Sequence, residues 1–368
     1  MILATLALVI WLYLLFGHGY FWQAGPFLPK AAPQNPLPVT VVVPARNEAA
    51  TVAAVLRSLL AQDYAGPFRV VLVDDNSSDG TGEIARAILD PRLAIVTGAE
   101  RPEGWSGKLW AVSQGVAQSS DPLVLLTDAD IVHDPGHLSA LVAGLERDRR
   151  DLVSEMVALN CESEAEKLLV PAFVYFFQLL YPFAWVNDPG MRTAAAAGGT
   201  ILLRRAALER IGGIASVRGA LIDDVALARK IKRGGRIWLG HSKFAASIRP
   251  YPEPRDIWRM IERTAYVQLR YSPMMLVGCV LGLALVWFVP PLAILFGDDK
   301  TRLIGALAYA AFCVSYQPTL RRFHLPWWYA LALPGIAGFY LAATISSAER
   351  HHSGQGVAWK DRAYREAQ

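Results

Sequence analysis

The sequence has little charge and few cysteines for its length. Only 18% of its 368 residues are charged, 53% are hydrophobic, and the formal net charge is +4. It has no long basic run and no basic patch interleaved with aromatics, which argues against nucleic acid as a partner. The three cysteines, Cys161, Cys279 and Cys313, are unclustered and odd in number, so they indicate neither a disulfide framework nor a zinc site. The shortage of charge is typical of a membrane protein.

The apolar surplus is concentrated in four uncharged stretches, each close to the roughly 20 residues that a spanning helix needs. These stretches are residues 1–23, 273–296, 303–320 and 325–347. The first has no basic n-region, and its first positive charges, Lys30 and Arg46, follow it. We therefore interpret 1–23 as an uncleaved anchor rather than a secretory signal, with the residues that follow it in the cytoplasm.

The charges around the C-terminal stretches agree only in part with the positive-inside tendency. Asp298 and Asp299 fit the outer side, and Arg321 and Arg322 fit the inner side. Three spans would nevertheless leave a basic tail outside, with Arg350, Lys360, Arg362 and Arg365. One of the three stretches is therefore a candidate re-entrant or interfacial segment.

The polar block at residues 38–272 alternates strand and helix patterns. Its predicted strands are the β-branched run TVVVP, then FRVVLVDD, LAIVTG and PLVLLTDAD, and Asn47 is predicted to cap a first helix that runs to Gln62. This alternation predicts an α/β fold with a parallel, doubly wound sheet. Segment 168–186 contains Gln178 and two prolines, and a crossing there would separate acidic groups that belong together, so we predict an interfacial helix.

Acidic residues stand at three predicted strand ends: Glu48, the Asp74-Asp75 pair, and Asp128 with Asp130. In open parallel sheets, ligands collect beyond the carboxyl ends of the strands. Each acid taken alone is explained as well by a turn or a cap. The three positions together predict a site for a cation and a polyhydroxyl ligand.

The acids around Asp128 suit the departure of a nucleotide diphosphate from a sugar. A hard divalent cation, Mg²⁺ or Mn²⁺, held by Asp128 and Asp130 would neutralise the charge that develops on the leaving phosphate. The pair Asp223-Asp224 lies in GALIDDVALARKIKRGG, where Asp224 would open a helix, either as a general base that faces the cleft or as part of an ordinary N-cap with an acidic first turn. Lys108 follows a glycine at a helix start and is predicted to meet a phosphate or nucleobase, or else solvent.

Another possible metal ligand is His241, which follows the predicted strand RIWLG. A lone histidine is more often structural than ligating, and we expect the same here.

The motifs VVVPARNE, VDDNSSDGT, GWSGKLWA, TDAD and IDDVALA occur in that order over roughly residues 38–272. This set resembles glycosyltransferase family 2, and together with the C-terminal stretches it is similar to the ceramide glucosyltransferase-like and hopanoid-biosynthesis-associated branch. The resemblance implies a GT-A fold, Rossmann-like with a mostly parallel sheet, carrying N-terminal and C-terminal transmembrane helices. It also implies a nucleotide-diphosphate sugar donor and a membrane lipid acceptor.

Carried over residue by residue, the resemblance implies a divided site. Glu48, Asp75 and Lys108 would contact the nucleotide, Asp128 and Asp130 would hold the diphosphate and metal, and Asp224 would be the base. Asp74 and Asp223 stand beside these residues with less defined roles in donor binding and catalysis.

The sequence departs from the family's Q-x-x-R-W motif. Arg270 and Tyr271 occupy the Arg-Trp positions, and Val267 stands where glutamine is expected. Since that motif is associated with holding a growing polymer, the departure predicts a single, non-processive transfer. The stretch 254–271 is predicted to be an amphipathic helix along the membrane, with arginines at four-residue spacing: Arg255, Arg259 and Arg263.

These patterns predict an anchor at 1–23, a cytoplasmic catalytic domain at 38–272, about three membrane helices within 273–347 and a polar tail at 348–368. The expected protein is an inverting, metal-dependent glycosyltransferase of the bacterial inner membrane. The alternative is a non-catalytic scaffold or transporter subunit that retains the fold, against which the intact Asp128, Asp130 and Asp224 argue. A nucleotidyltransferase would need a basic, glycine-rich triphosphate loop, and VPARNEAAT is not one.

Overall fold

The computed structural model describes residues 1–353, 357–359 and 362–364. The chain divides into two compact units. One unit comprises Met1–Ala24, Cys161–Ala184 and Pro250–Val357, and the other comprises Gly25–Asn160, Trp185–Arg249 and Ala358–Gln368. Lys360 and Arg365 of the predicted polar tail lie outside the described residues.

The described residues contain ten strands. They are β1 (Val39–Ala45), β2 (Phe68–Asp74), β3 (Leu93–Thr97), β4 (Leu123–Thr127), β5 (Ile131–His133), β6 (Leu152–Ala158), β7 (Thr200–Arg204), β8 (Ile237–Ser247), β9 (Val357–Trp359) and β10 (Arg362–Tyr364). The first eight form one sheet, and the last two pair with each other.

The α-helices are α1 (Ile2–Phe16), α2 (Val52–Leu60), α3 (Thr81–Arg86), α4 (Gly107–Val116), α5 (His137–Glu146), α6 (Glu164–Leu180), α7 (Phe183–Asn187), α8 (Arg205–Arg210), α9 (Asp223–Lys232), α10 (Pro254–Glu262), α11 (Ala265–Gln268), α12 (Pro273–Leu283), α13 (Val289–Phe296), α14 (Asp299–Arg322) and α15 (Leu333–His352). Single 3-10 turns lie at Arg147–Arg149, Ile214–Val217 and Trp327–Ala332, and a π-helical turn, Ala284–Phe288, joins α12 to α13.

The large sheet has the strand order β3-β2-β1-β4-β7-β6-β8-β5. Strands β1 to β4 are mutually parallel, and β6 and β8 run in the same direction as these four. Only β7 and β5 run against them. The mostly parallel α/β fold that the sequence predicts is therefore confirmed.

Strand β1 shows why this sheet forms. Every residue of its sequence VTVVVPA is buried, as expected for a parallel strand with helices on both faces. Its one hydroxyl, on Thr40, donates to a carboxylate oxygen of Asp121 over 2.6 Å, so the buried polar group is satisfied. Helix α4 packs close to this strand, because a Cβ on Gly115 would lie only 2.4 Å from Cγ1 of Val42.

The first helix of the block begins later than predicted. It starts at Val52 with Thr51 as its N-cap residue, whereas Asn47 has a φ of 52° and lies outside it. The Asn47 side chain accepts a hydrogen bond from the main-chain N–H of Ser78 over 3.0 Å. Asn47 therefore ties the loop after β1 to the loop after β2 instead of capping a helix.

Among the described residues, the unit that includes Pro250–Val357 contains three helices that are long and apolar enough to cross a membrane: Pro273–Phe296, Asp299–Arg322 and Trp327–His352. The N-terminal helix α1 has 15 residues. Its length of about 22 Å is short of the roughly 30 Å of a hydrocarbon core. It packs on the first long helix, since Nε1 of Trp11 donates to the carbonyl of Val286 over 2.9 Å. The anchor at 1–23 stays a prediction.

The two predicted interfacial segments also have different bounds in the structure. Helix α6 begins at Glu164, where Ser163 and Glu166 form a capping box, and it ends at Leu180. The stretch 254–271 is not one helix but two, α10 and α11, separated at Arg263 and Thr264. Their interfacial placement stays a prediction.

Candidate active site

The predicted acidic residues follow the carboxyl ends of neighbouring strands in the sheet. Strand β1 lies between β2 and β4, so the chain order reverses here and a crevice opens beyond the strand ends. Glu48 follows β1, Asp74 and Asp75 end β2, and Asp128 follows β4 directly. The strand register, in which Ala45 pairs with Asp74, brings these side chains to one edge.

The pair after β2 is anchored mainly by the backbone. Asp75 is 1% exposed, and its main-chain N–H donates to the carbonyl of Ala45 over 2.8 Å. Arg46 donates to the carbonyl of Asp75 over 2.5 Å and lies 3.7 Å from its carboxylate. A carboxylate oxygen of Asp74 accepts from the N–H of Ser77 over 3.0 Å, which is the turn role that its sequence context allows. A donor-binding role for either residue stays a prediction.

Lys108 joins two of the predicted acids. It lies in the first turn of α4, whose N-cap Ser106 accepts from the N–H of Leu109 over 3.3 Å. Its Nζ is 2.8 Å from Oδ1 of Asp128 and 3.6 Å from Oδ2 of Asp223. The lysine is therefore held at the sheet edge by carboxylates from β4 and α9 and is not a solvated surface residue.

Asp224 lies beside this group, and main-chain N–H groups hold both oxygens of its carboxylate. Its Oδ2 accepts from the N–H of Gly198 over 2.9 Å, and its Oδ1 accepts from the N–H of Val225 over 2.7 Å. Helix α9 begins one residue earlier than the sequence suggested, at Asp223, so both acids lie in its first turn.

The pKa of Asp224 is displaced far from its ordinary value. Burial, followed by the charge of Asp223, raises this pKa to about 7, although Lys108 and the two backbone hydrogen bonds oppose the rise. Apolar residues line the same pocket as these carboxylates and contribute to the burial: Pro44, Leu109, Val112, Leu126, Ile201, Ile214 and Leu227. A carboxyl group with a raised pKa at an open sheet edge can exchange protons near neutral pH.

Asp130 has a partner that the sequence did not suggest. Nε of Arg249 donates to Oδ2 of Asp130 over 2.5 Å, and Nη2 of the same arginine donates to both oxygens of Glu48 over 2.5 and 2.7 Å. Arg249 follows β8 and belongs to none of the motifs that mark the site. Only the strand pairing reveals it, because β8 runs beside β5 next to Asp130.

The sequence predicts a cation site at Asp128 and Asp130, and the carboxylate oxygens of these residues are the kind of ligand that a hard divalent ion prefers. The carboxylates of this group number five, Glu48, Asp128, Asp130, Asp223 and Asp224, against the two cations Lys108 and Arg249. Burial and the charge of Asp128 accordingly raise the pKa of Asp130, against the effect of Arg249. Within the described residues, however, no three acids, histidines or cysteines are grouped as ligands.

His241 is not placed as the sequence suggested. It lies inside β8, not after it, and it is fully buried with its ring 6.0 Å from that of Phe27. Its main-chain N–H donates to the carbonyl of Pro26 over 2.8 Å. This packed position matches the structural role that we expected for a lone histidine.

A buried polar chain below Asp128 was also missed. The hydroxyl of Thr127 lies 3.0 Å from Nε2 of His133, whose Nδ1 is 2.7 Å from Nδ1 of His137, and Nε2 of His137 is 2.7 Å from Glu155. Burial lowers the pKa of both histidines. The four-residue spacing of His133 and His137 is the only sign of this chain in the sequence. Its acidic member, Glu155, comes from the distant strand β6.

These features define an α/β domain with an acidic crevice at the carboxyl ends of its strands, and comparison with known proteins gives the family. Residues 40–212 match the Glycosyl transferase family 2 domain. The chain is 34% identical to an N-acetylglucosaminyltransferase of Bradyrhizobium elkanii over 38% of its own length and 72% of that protein. The chain belongs to glycosyltransferase family 2, which confirms the predicted family and enzyme class.

Two further likenesses cover more of the chain. It is 26% identical to the probable glycosyltransferase YdaM of Bacillus subtilis (strain 168) over 68% of its length, and it spans 61% of that protein. The mannosyltransferase PcManGT from Pyrobaculum calidifontis, solved with GDP-Man and Mn²⁺, has the same fold, with a TM-score of 0.55 and 20% identity over 95% of this chain and 99% of that one. This likeness confirms the GT-A fold.

Proposed function

We propose that the chain transfers a sugar from a nucleotide-diphosphate sugar to a membrane lipid in one displacement that inverts the anomeric carbon. The observation that carries this proposal is Asp224, a carboxyl group of raised pKa that is fixed by the N–H of Gly198. It lies on the same crevice as Lys108 and Asp128. A base and a charge-neutralising group on one crevice are what an inverting transfer requires.

The proposed chemical step is a single displacement at the anomeric carbon of the donor sugar. The acceptor hydroxyl attacks the anomeric carbon, a new carbon–oxygen bond forms, and the bond from that carbon to the phosphate oxygen breaks. The electron pair of the broken bond leaves with the nucleoside diphosphate. Asp224 takes the proton of the hydroxyl and later returns it to solvent. Asp223 orients Asp224 or the acceptor, and its charge keeps the neighbouring base strong.

The donor occupies the strand ends in this proposal. Glu48, Asp74 and Asp75 contact the nucleoside, whereas Lys108 approaches the diphosphate from the first turn of α4. A helix start carries free N–H groups and favours anions, so the lysine adds charge to a place that already suits phosphate. The structural relative solved with GDP-Man supports a sugar nucleotide as donor.

Asp128 and Asp130 are the residues that would hold Mg²⁺ or Mn²⁺. Such an ion, when bound, supplies Lewis-acid neutralisation of the charge that develops on the leaving diphosphate. The excess of carboxylates over cations in this group supports the assignment, as does the Mn²⁺ bound by the structural relative.

A membrane lipid is the proposed acceptor because the same chain carries three helices that are apolar and long enough to cross a membrane. The resemblance of the whole sequence to hopanoid-associated enzymes suggests a hopanoid. The departure from Q-x-x-R-W at Val267 and Tyr271 supports a single transfer. We propose that the protein lies in the bacterial inner membrane with residues 38–272 in the cytoplasm, and an active periplasmic reporter fused near Ser120 would contradict that placement.

The acceptor can be identified from the lipids of a deletion strain. Loss of the gene should remove one glycolipid and accumulate its unglycosylated precursor, and wild-type protein should restore the glycolipid. The Asp224→Asn protein, present at equal amount in the membrane, should not. An unchanged lipid profile, or full restoration by Asp224→Asn, would contradict the proposed function.

A further inference from the structure

Arg249 connects two acids that come from different parts of the sheet. Its guanidinium bridges Oδ2 of Asp130 to both oxygens of Glu48, with all three contacts between 2.5 and 2.7 Å. Glu48 is 9% exposed and the Asp130 side chain 13%, so both carboxylates are largely withdrawn from water. The arginine therefore forms an ion pair with both acids.

The fold builds this contact into its strand pairing. Ile131 pairs with Ser247 across β5 and β8, and the N–H of Ile248 donates to the carbonyl of Asp130 over 2.9 Å. These main-chain bonds position Arg249, the next residue in the chain, next to Asp130. The hydroxyl of Thr51 donates to the carbonyl of Ala129 over 2.8 Å, which fixes the start of α2, and with it Glu48, against the same turn.

We propose that Arg249 holds the place of the divalent cation in the donor-free protein and moves to the donor diphosphate when metal and donor bind. The inference rests on the proposed function, because it presupposes a donor that carries metal and diphosphate. A guanidinium and a metal ion cannot both occupy the lone pair of Asp130 Oδ2 that accepts from Arg249. A diphosphate, in turn, offers a guanidinium the paired oxygens that it binds best.

The charges favour such an exchange. Without a metal, Arg249 and Lys108 each neutralise one acid of the Asp128-Ala-Asp130 turn. A divalent ion brings two charges to the same carboxylates, and the diphosphate brings the anion that the displaced arginine needs. The Arg249 side chain is 29% exposed, so water can reach it and its ion pairs are not sealed. Metal binding and donor binding would thus strengthen each other.

The test is the affinity for Mn²⁺ alone, measured by electron paramagnetic resonance on the full-length, detergent-solubilised protein. We expect wild type to bind Mn²⁺ weakly and Arg249→Gln to bind it on the order of tenfold more tightly, within the range usual for coupled ligands. Arg249→Lys keeps the positive charge but loses the planar guanidinium that contacts both acids, so it should bind Mn²⁺ with intermediate affinity. Arg210→Gln removes an equal charge beside Asp151, in the same unit, and should match wild type.

A second titration adds UDP or GDP. The nucleotide should tighten Mn²⁺ binding by wild type more than by Arg249→Gln, since only wild type must displace the arginine. Equal Mn²⁺ affinity of wild type and Arg249→Gln would overturn the inference, as would an Arg249→Lys affinity equal to wild type while Arg249→Gln binds more tightly. These readouts require no sugar transfer, so their failure is separate from failure of the proposed function, which the lipid profile tests.

Discussion

The main-chain N–H of Gly198 donates to Oδ2 of Asp224 over 2.9 Å, and the glycine has no Cβ to crowd the neighbouring Lys108. A Cβ at Gly198 would lie 3.3 Å from Nζ of Lys108 and 3.4 Å from Oδ2 of Asp224. The main chain before β7 can therefore approach the ammonium and the proposed base together.

Gly198→Ala should reduce kcat without unfolding the protein. Gly198 does not have a positive φ, so alanine causes no backbone strain there, but Nζ of Lys108 must move by a few tenths of an ångström. We expect a loss of roughly tenfold, because small misplacements of reacting groups are costly. Gly136→Ala, with no atom nearer than 4.0 Å, is the matched control, and steady-state kinetics would show whether the two differ.

Asp224→Asn should lower kcat by about 10²–10⁴-fold, the usual contribution of a general base, and leave donor affinity near normal. Asp223→Asn should be less damaging, because Asp223 acts through its neighbour. Donor binding by calorimetry and turnover of both variants decide the assignment. A greater kcat loss in Asp223→Asn, or weakened donor binding in Asp224→Asn that matches its kcat loss, would reject Asp224 as the base.

The pH dependence of kcat should carry the titration of the base. A base works only when it is deprotonated, so kcat should rise with pH through the raised pKa of Asp224, near 7, instead of near 4. Burial and the charge of Asp223 cause the shift. Asp223→Asn should therefore move the rise of kcat to lower pH. A profile that is flat from pH 5 to 9 in wild type would contradict this account.

Turnover should require Mg²⁺ or Mn²⁺. Chelation should abolish turnover reversibly, and Asp130→Ala should lose it while retaining its elution volume and circular dichroism, because the ion supplies several kcal/mol of charge stabilisation. Asp134→Ala, on the other side of β5, provides a carboxylate control. Full turnover in excess chelator would show that Lys108 and Arg249 neutralise the diphosphate without a metal.

The sequence predicted β1, β2 and β4 well because each is a short, largely buried apolar run with acids at or beyond its end. It placed Asp128 after a buried strand for the same reason, and it placed Asp224 at the start of a helix. The start of α2 was misplaced because Asn47, a good capping residue, bonds to Ser78 in another loop. Such a partner is 31 residues away and leaves no local pattern.

Arg249 and the His133–His137–Glu155 chain show the same limit. Arg249 reaches Asp130 across 119 residues through the pairing of β5 with β8, and no spacing rule encodes that contact. The stretch 254–271 has the charge pattern of one helix, but the structure breaks it at Arg263 and Thr264. Tertiary bonds decide there, since the N–H of Tyr266 donates to the hydroxyl of Ser347 over 3.1 Å.

In the proposed reaction, a sugar moves from a nucleotide-diphosphate sugar to a membrane lipid, and Asp224 acts as the base. The most direct test of this reaction is the purified protein in lipid vesicles made from the deletion strain, supplied with UDP- and GDP-sugars and Mn²⁺. The account predicts that nucleoside diphosphate and a glycolipid form in equal amounts, and that both are lost in Asp224→Asn. Release of pyrophosphate, or glycolipid formation at the wild-type rate by Asp224→Asn, would contradict it.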